Sequence, residues 1–104
     1  MHNIHMSSPM ALLHQIDSVK NEIMQQIDAA MEHLEVMEDT EGEVLRTCKQ
    51  AVHHVVGKMP VAAALQCCAY LQDTGELPAG KDRITCFTEY LYACIELELA
   101  TRYA

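Results

Sequence analysis

The segment SPMALLHQIDSVKNEIMQQIDAAMEHLEVMED, residues 8–39, decides the fold. It opens with Ser8-Pro9, a serine suited to cap a helix and a proline at the first helical position, where its missing N–H removes no hydrogen bond. No other proline and no glycine follow up to Asp39. The spacing of its apolar side chains, in steps of three and four, predicts one long amphipathic helix over about residues 9–39. These side chains are Leu12, Ile16, Val19, Ile23, Ile27, Ala30, Leu34 and Met37, with Leu13, Met24 and Met31 as a second row on their flank.

Two further helices are predicted by capping residues after this segment. Thr40-Glu41-Gly42-Glu43 matches a capping box, with threonine at the cap and glutamate three residues later. It predicts a second helix over about residues 41–57, ending near Gly57. Pro60 predicts the start of a third helix over about residues 60–73, which Gly75 closes just past the last turn.

The C-terminal part of the chain predicts a fourth helix over about residues 82–102. Its apolar residues leave little polar face, so we expect it to be the most buried of the four. No segment alternates apolar and polar residues in the manner of a strand. The predicted class is therefore all-α: one four-helix bundle-like domain over residues 8–104, with a long acidic N-terminal helix and a flexible tail over residues 1–7.

Negative charge is concentrated in one segment. The net charge of the chain is −8, and residues 17–43 alone hold nine acidic residues against one basic residue, Lys20. Several of these carboxylates fall opposite the apolar band of the first helix: Asp17, Asp28, Glu32, Glu35 and Asp39. A solvated helix face explains this pattern, and so does a contact surface for a basic partner. Direct binding of nucleic acid is not expected, because no basic patch is present to neutralise phosphates.

The predicted length of the first helix suggests a partner. A 30-residue helix measures about 45 Å, whereas a compact chain of this size has a diameter of about 33 Å. We therefore expect part of the apolar face to extend beyond the chain's own core and to be covered by a second copy in a homodimer. A kink near residues 20–22 is the alternative, but no proline or glycine there supports it. The residues predicted to contact a partner are Leu13, Ile16, Val19, Ile23, Met24, Ile27 and Met31, bordered by Asp28, Glu32 and Glu35.

Signals for catalysis, metals and membranes are weak. The chain has no Glu-x-x-His, His-x-x-x-His or Cys-x-x-Cys spacing, so no metal or other cofactor is expected. No phosphate-binding glycine loop or nucleophile elbow occurs, and no apolar run is long enough for a membrane span. Five cysteines, an odd number within helical patterns, indicate reduced thiols and a cytoplasmic location.

The sequence thus predicts a non-enzymatic protein–protein interaction module, acting as an adaptor, escort or inhibitor through an amphipathic helix. On this hypothesis Ile23→Asp should dissociate the assembly. Two alternatives remain open. One is an acidic inhibitor that mimics nucleic acid towards a DNA- or RNA-binding protein, and the other is a redox or pH sensor that uses the cysteines or histidines.

Overall fold

A computed structural model of the chain describes residues 8–34, 40–79 and 82–102, without the side chains of residues 33, 34, 40 and 41. It contains four helices: α1 (Pro9–Leu34), α2 (Thr40–Lys58), α3 (Val61–Asp73) and α4 (Arg83–Arg102). The described residues include no strand. The all-α, four-helix prediction is confirmed. The predicted tail over residues 1–7, the end of the first predicted helix and Glu35 lie outside the described residues.

The helix ends follow from local chemistry. Ser8 Oγ accepts a hydrogen bond from the backbone N–H of Ala11 at 3.1 Å, so serine caps α1 as the sequence predicts. Asp82 caps α4 in the same way, accepting from the Thr85 backbone N–H at 3.1 Å and from the Thr85 hydroxyl at 2.8 Å. At the end of α3, Gly75 has a φ of +85°, in the left-handed region that glycine adopts without strain.

The two ends of α2 differ slightly from the prediction. The helix begins at Thr40, and the Glu43 carboxylate pairs with Arg46 at 3.0 Å. At the other end Gly57 is still helical, and α2 runs to Lys58. The bend that follows, at Met59 and Pro60, redirects the chain into α3, because proline cannot donate the hydrogen bond that would continue the helix.

All four helices contribute to one core. α1 packs mainly against α2, and α4 packs against α3 and α2. No polar or charged side chain is buried among the described residues. The buried residues are Ile16, Val19, Ile23, Met24 and Ile27 of α1; Cys48, Ala51, Val52, Val55 and Val56 of α2; Ala64, Cys67, Cys68 and Leu71 of α3; and Phe87, Leu91, Ile95 and Leu99 of α4.

The expectation that α4 is the most buried helix is wrong. Its buried residues form a single row at four-residue spacing, from Phe87 to Leu99. Other apolar residues of α4 lie on different sides of the helix, and Leu97 is 71% exposed. Apolar residues all round a helix do not by themselves place it at the centre, because neighbouring helices cover only some of its sides.

The body is more elongated than a compact globule. Its radius of gyration is 15.2 Å and its extents are 56 × 26 × 21 Å, against a radius of about 13 Å for a compact chain of this length. The 26 residues of α1 correspond to about 39 Å. Burial shows that the other helices cover the core-facing side of α1 from Ile16 to Ile27.

Candidate functional site

Most of the apolar residues predicted to contact a partner lie in the chain's own core. Ile16, Val19, Ile23, Met24 and Ile27 are between 0% and 8% exposed. This corrects the expectation that they form an uncovered face, which assumed a rounder body. It also changes what Ile23→Asp would do. A charge at this fully buried position would unfold the chain, so its effect would not report on an assembly.

One side of the N-terminal turns of α1 is exposed, although Leu12 on another side is partly buried against the core. Met10 is 61% exposed and Leu13 is 40% exposed, and both precede Ile16, the first fully buried residue of the helix. His14 and Asp17 are exposed as well. The spacing of these four residues, i, i+3, i+4 and i+7, places them on one side of a helix. We call them the N-terminal stripe: Met10, Leu13, His14 and Asp17.

The other predicted contact residues are more dispersed. Met31 is partly buried against the core, and Glu32 is exposed without an ion-pair partner in the described parts of the chain. Asp28 pairs with Arg102 at 3.2 Å, which links α1 to the last turn of α4. Only Leu13 of the predicted apolar set therefore belongs to the exposed stripe.

Part of the acidic charge is balanced within the fold. Besides the Asp28–Arg102 pair, Glu22 of α1 lies 3.5 Å from Lys58 of α2. Such exposed pairs contribute only about 0–1 kcal/mol of stability, but they reduce the negative field that α1 presents. This weakens the case for a surface that imitates the dense, regular charge of nucleic acid.

Two shallow grooves flank α4. The groove between α1 and α4 has a volume of about 470 Å³ and is lined by Met24 and Ile95 between charged residues that include Lys20. The Lys20 ammonium lies 5.2 Å from the centre of the Tyr90 ring. The Tyr90 hydroxyl donates a hydrogen bond to Glu76 at 3.0 Å, so the charged and aromatic groups at this end already contact one another.

The second groove lies between α2 and α4 and has a volume of about 530 Å³. We call it the α2–α4 groove, and its lining residues are Lys49, His53, Ile84, Thr85, Thr88, Glu89 and Tyr92. The hydroxyls of Thr85 and Thr88 donate to Asp82 and to the Ile84 carbonyl, respectively. Lys49 lies 5.8 Å from the centre of the Tyr92 ring. Neither Lys49 nor Glu89 has an ion-pair partner among the described residues.

The three buried thiols do not resemble reactive cysteines. All five are free, and Cys48, Cys67 and Cys68 are buried. Burial, with a smaller effect of Glu96, raises the pKa of Cys48 to about 11. Burial also raises the pKa values of Cys67 and Cys68. A nucleophilic or redox-sensing thiol needs a lowered pKa, so these positions favour a packing role.

No group of three or more histidine, cysteine, aspartate or glutamate side chains within residues 8–34, 40–79 and 82–102 could hold a metal ion. No helix in these ranges combines the length and the apolar character needed to cross a membrane.

The fold and these surfaces define a small all-α helical bundle with an exposed stripe on its first helix and shallow grooves beside its last. No known family model, curated protein or solved structure matches the chain. The function must therefore be inferred from the surfaces themselves.

The stripe and the α2–α4 groove could not be found from sequence periodicity alone. Periodicity gives the direction in which a side chain points, but not which neighbour covers it.

Proposed function

We propose that this protein is a non-catalytic protein–protein interaction module, an adaptor, escort or inhibitor that binds through the N-terminal turns of α1 and forms a homodimer. The observation that carries the proposal is the exposure of Met10 and Leu13, two large apolar side chains three residues apart on the same side of α1. Single exposed apolar residues are ordinary on protein surfaces. Two adjacent ones beside His14 and Asp17 form a contact stripe of the kind that helices insert into grooves.

The chemistry of the stripe suits a protein partner. Methionine and leucine supply apolar area, worth about 25 cal/mol per Å² removed from water. Methionine is unbranched and adapts its shape to different surfaces. The carboxylates of Asp17 and Glu32 have no ion-pair partner among the described residues, so basic groups on the partner would be favoured beside them. Free cysteines throughout are compatible with work in the cytoplasm.

Light scattering or sedimentation at several protein concentrations tests the proposal. We expect the mass to rise from 11.7 kDa towards twice that value as the concentration increases. Leu13→Asp places a charge in the stripe and should keep the protein monomeric. Leu97→Asp is the matched control, because Leu97 is 71% exposed on α4. The mass of the Leu97→Asp variant should rise with concentration as that of the wild type does.

Two results would count against the proposal. One is a wild-type protein that stays monomeric at every concentration and binds no other protein through α1. The other is a dimer that Leu13→Asp leaves intact. The two alternative functions, an acidic mimic and a thiol or histidine sensor, stay hypotheses. Partial neutralisation of the acidic residues and the raised thiol pKa values lend them no support.

A further inference from the structure

The N-terminal stripe combines apolar and ionisable groups in a fixed order. Met10 and Leu13 form its apolar part, and His14 and Asp17 lie one turn towards the C-terminus. Neither His14 nor Asp17 has an ion-pair partner among the described residues. A surface that accepts this stripe would offer apolar area next to a positive group that faces Asp17 and a hydrogen-bond acceptor that faces the imidazole N–H of His14.

The α2–α4 groove offers these groups on its two sides. The α2 side carries Lys49 and His53, and the α4 side carries Glu89. Between them lie the partly buried Ile84 and the Tyr92 ring. The hydroxyls of Thr85 and Thr88 already donate hydrogen bonds inside the chain, so the charged groups are the main polar contacts left for an incoming surface.

We infer that the α2–α4 groove binds the N-terminal stripe of a second copy of this chain. Met10 and Leu13 then contact Ile84 and Tyr92, Asp17 pairs with Lys49, and His14 faces Glu89. This inference rests on the proposed function and names the surface that receives α1.

Interface size favours a reciprocal arrangement. Two helical turns in a shallow groove bury less than the roughly 800 Å² per partner that is usual in stable complexes. A two-fold axis doubles the contact, because the stripe of each copy then occupies the groove of the other. The closed pair also avoids the open-ended chains that a one-way contact would produce.

Reversal of the charges tests the pairing directly in the full-length chain, with the dimerisation constant measured by sedimentation. Asp17→Lys and Lys49→Glu should each weaken self-association about tenfold or more, since each places like charges together. The double variant Asp17→Lys/Lys49→Glu restores the pair with its polarity exchanged and should recover most of the lost affinity. Asp17 and Lys49 are exposed, so we expect unchanged helical circular dichroism in all three variants.

Arg46→Glu is the control for a charge reversal on α2 outside the groove. Arg46 pairs with Glu43 in its own helix, so self-association should not change. The inference is overturned if Lys49→Glu acts no more strongly than Arg46→Glu, or if the double variant is no better than the singles. In either case a dimer that Leu13→Asp still dissociates would preserve the proposed function. A dimer that Leu13→Asp leaves intact would instead contradict both the inference about the groove and the proposed function.

Discussion

The burial of α1 in its own chain can be tested by truncating one side chain. Ile23 is 0% exposed at the centre of the buried row of α1. Ile23→Ala removes its side chain beyond Cβ and leaves a cavity, which typically costs about 2–5 kcal/mol of unfolding free energy. Domains of this size are stabilised by only about 5–15 kcal/mol, so the loss should be large. At about 4–8 °C per kcal/mol, the melting temperature should fall by roughly 10 °C or more.

Two further variants, which remove less buried side chain, should cost progressively less unfolding free energy. Ile23→Val removes one methylene group and should cost about 0.5–1.5 kcal/mol. Met10→Ala shortens a side chain on the same helix that is 61% exposed. It should cost less than about 1 kcal/mol, because little buried area is lost and alanine favours the helix.

Urea unfolding followed by circular dichroism at 222 nm measures these differences. The experiment should be repeated at two protein concentrations about tenfold apart. If the chain's own helices cover Ile23, the difference between Ile23→Ala and the wild type is the same at both concentrations. A cost for Ile23→Ala no greater than that for Met10→Ala would refute the packing of α1 against the other helices of its own chain. A difference that changes with concentration would place Ile23 at an interface between copies.

Three other expectations concern the rest of the fold. Gly75 has a φ of +85°, so Gly75→Ala should destabilise the protein by about 1–2 kcal/mol. Gly57→Ala, in a helical position with open space around it, should stabilise it by about 0.5–1 kcal/mol; equal effects of the two in urea unfolding would contradict the assignment of Gly75 as the end of α3. Because burial raises the pKa of Cys48 to about 11, the unfolded chain loses this proton at lower pH than the folded chain. Stability should therefore fall as the pH rises from about 9 to 11, by up to about 3 kcal/mol; Cys48→Ala should flatten this part of the pH profile, and an unchanged slope would count against the buried thiol. The hydrogen bonds from Thr85 lower the pKa of Asp82, so the stabilisation by its carboxylate should be present at neutral pH and lost as the pH falls through the folded-state pKa. Asp82→Asn keeps a capping oxygen and should remove that acid dependence, whereas Asp82→Ala should lower the melting temperature at pH 7; an alanine variant as stable as the wild type would show that the cap is dispensable.

The sequence predicts the local features of this fold well. Ser8-Pro9 predicts the start of α1, and Gly75 predicts the end of α3, because each depends on the conformations of a few neighbouring residues. The apolar row from Ile16 to Ile27 is also predicted correctly as a face, since the helical period alone determines which side chains point the same way.

The sequence does not predict what covers that face. Whether Ile23 meets a neighbouring helix or a second copy depends on the shape of the whole body, and the assumption of a round body gave the wrong expectation. The Asp28–Arg102 pair joins residues 74 positions apart, and no local pattern indicates it. Leu97 illustrates the same limit of sequence-based prediction, because its apolar character predicts burial that the fold does not provide. It is apolar like its buried neighbours, but it is 71% exposed, so no helix within the described residues covers its side chain.

Three of the five cysteine thiols lie in an interior where the described residues offer no polar side chain to receive a modified group. Conversion of Cys48, Cys67 or Cys68 to a sulfinic or sulfonic acid would add charge and oxygen atoms where neither can be accommodated. The native packing shields these atoms, so damage by peroxide should occur mainly during transient opening and should then prevent refolding. The lifetime of the protein under oxidative stress is therefore expected to depend on how often each molecule opens.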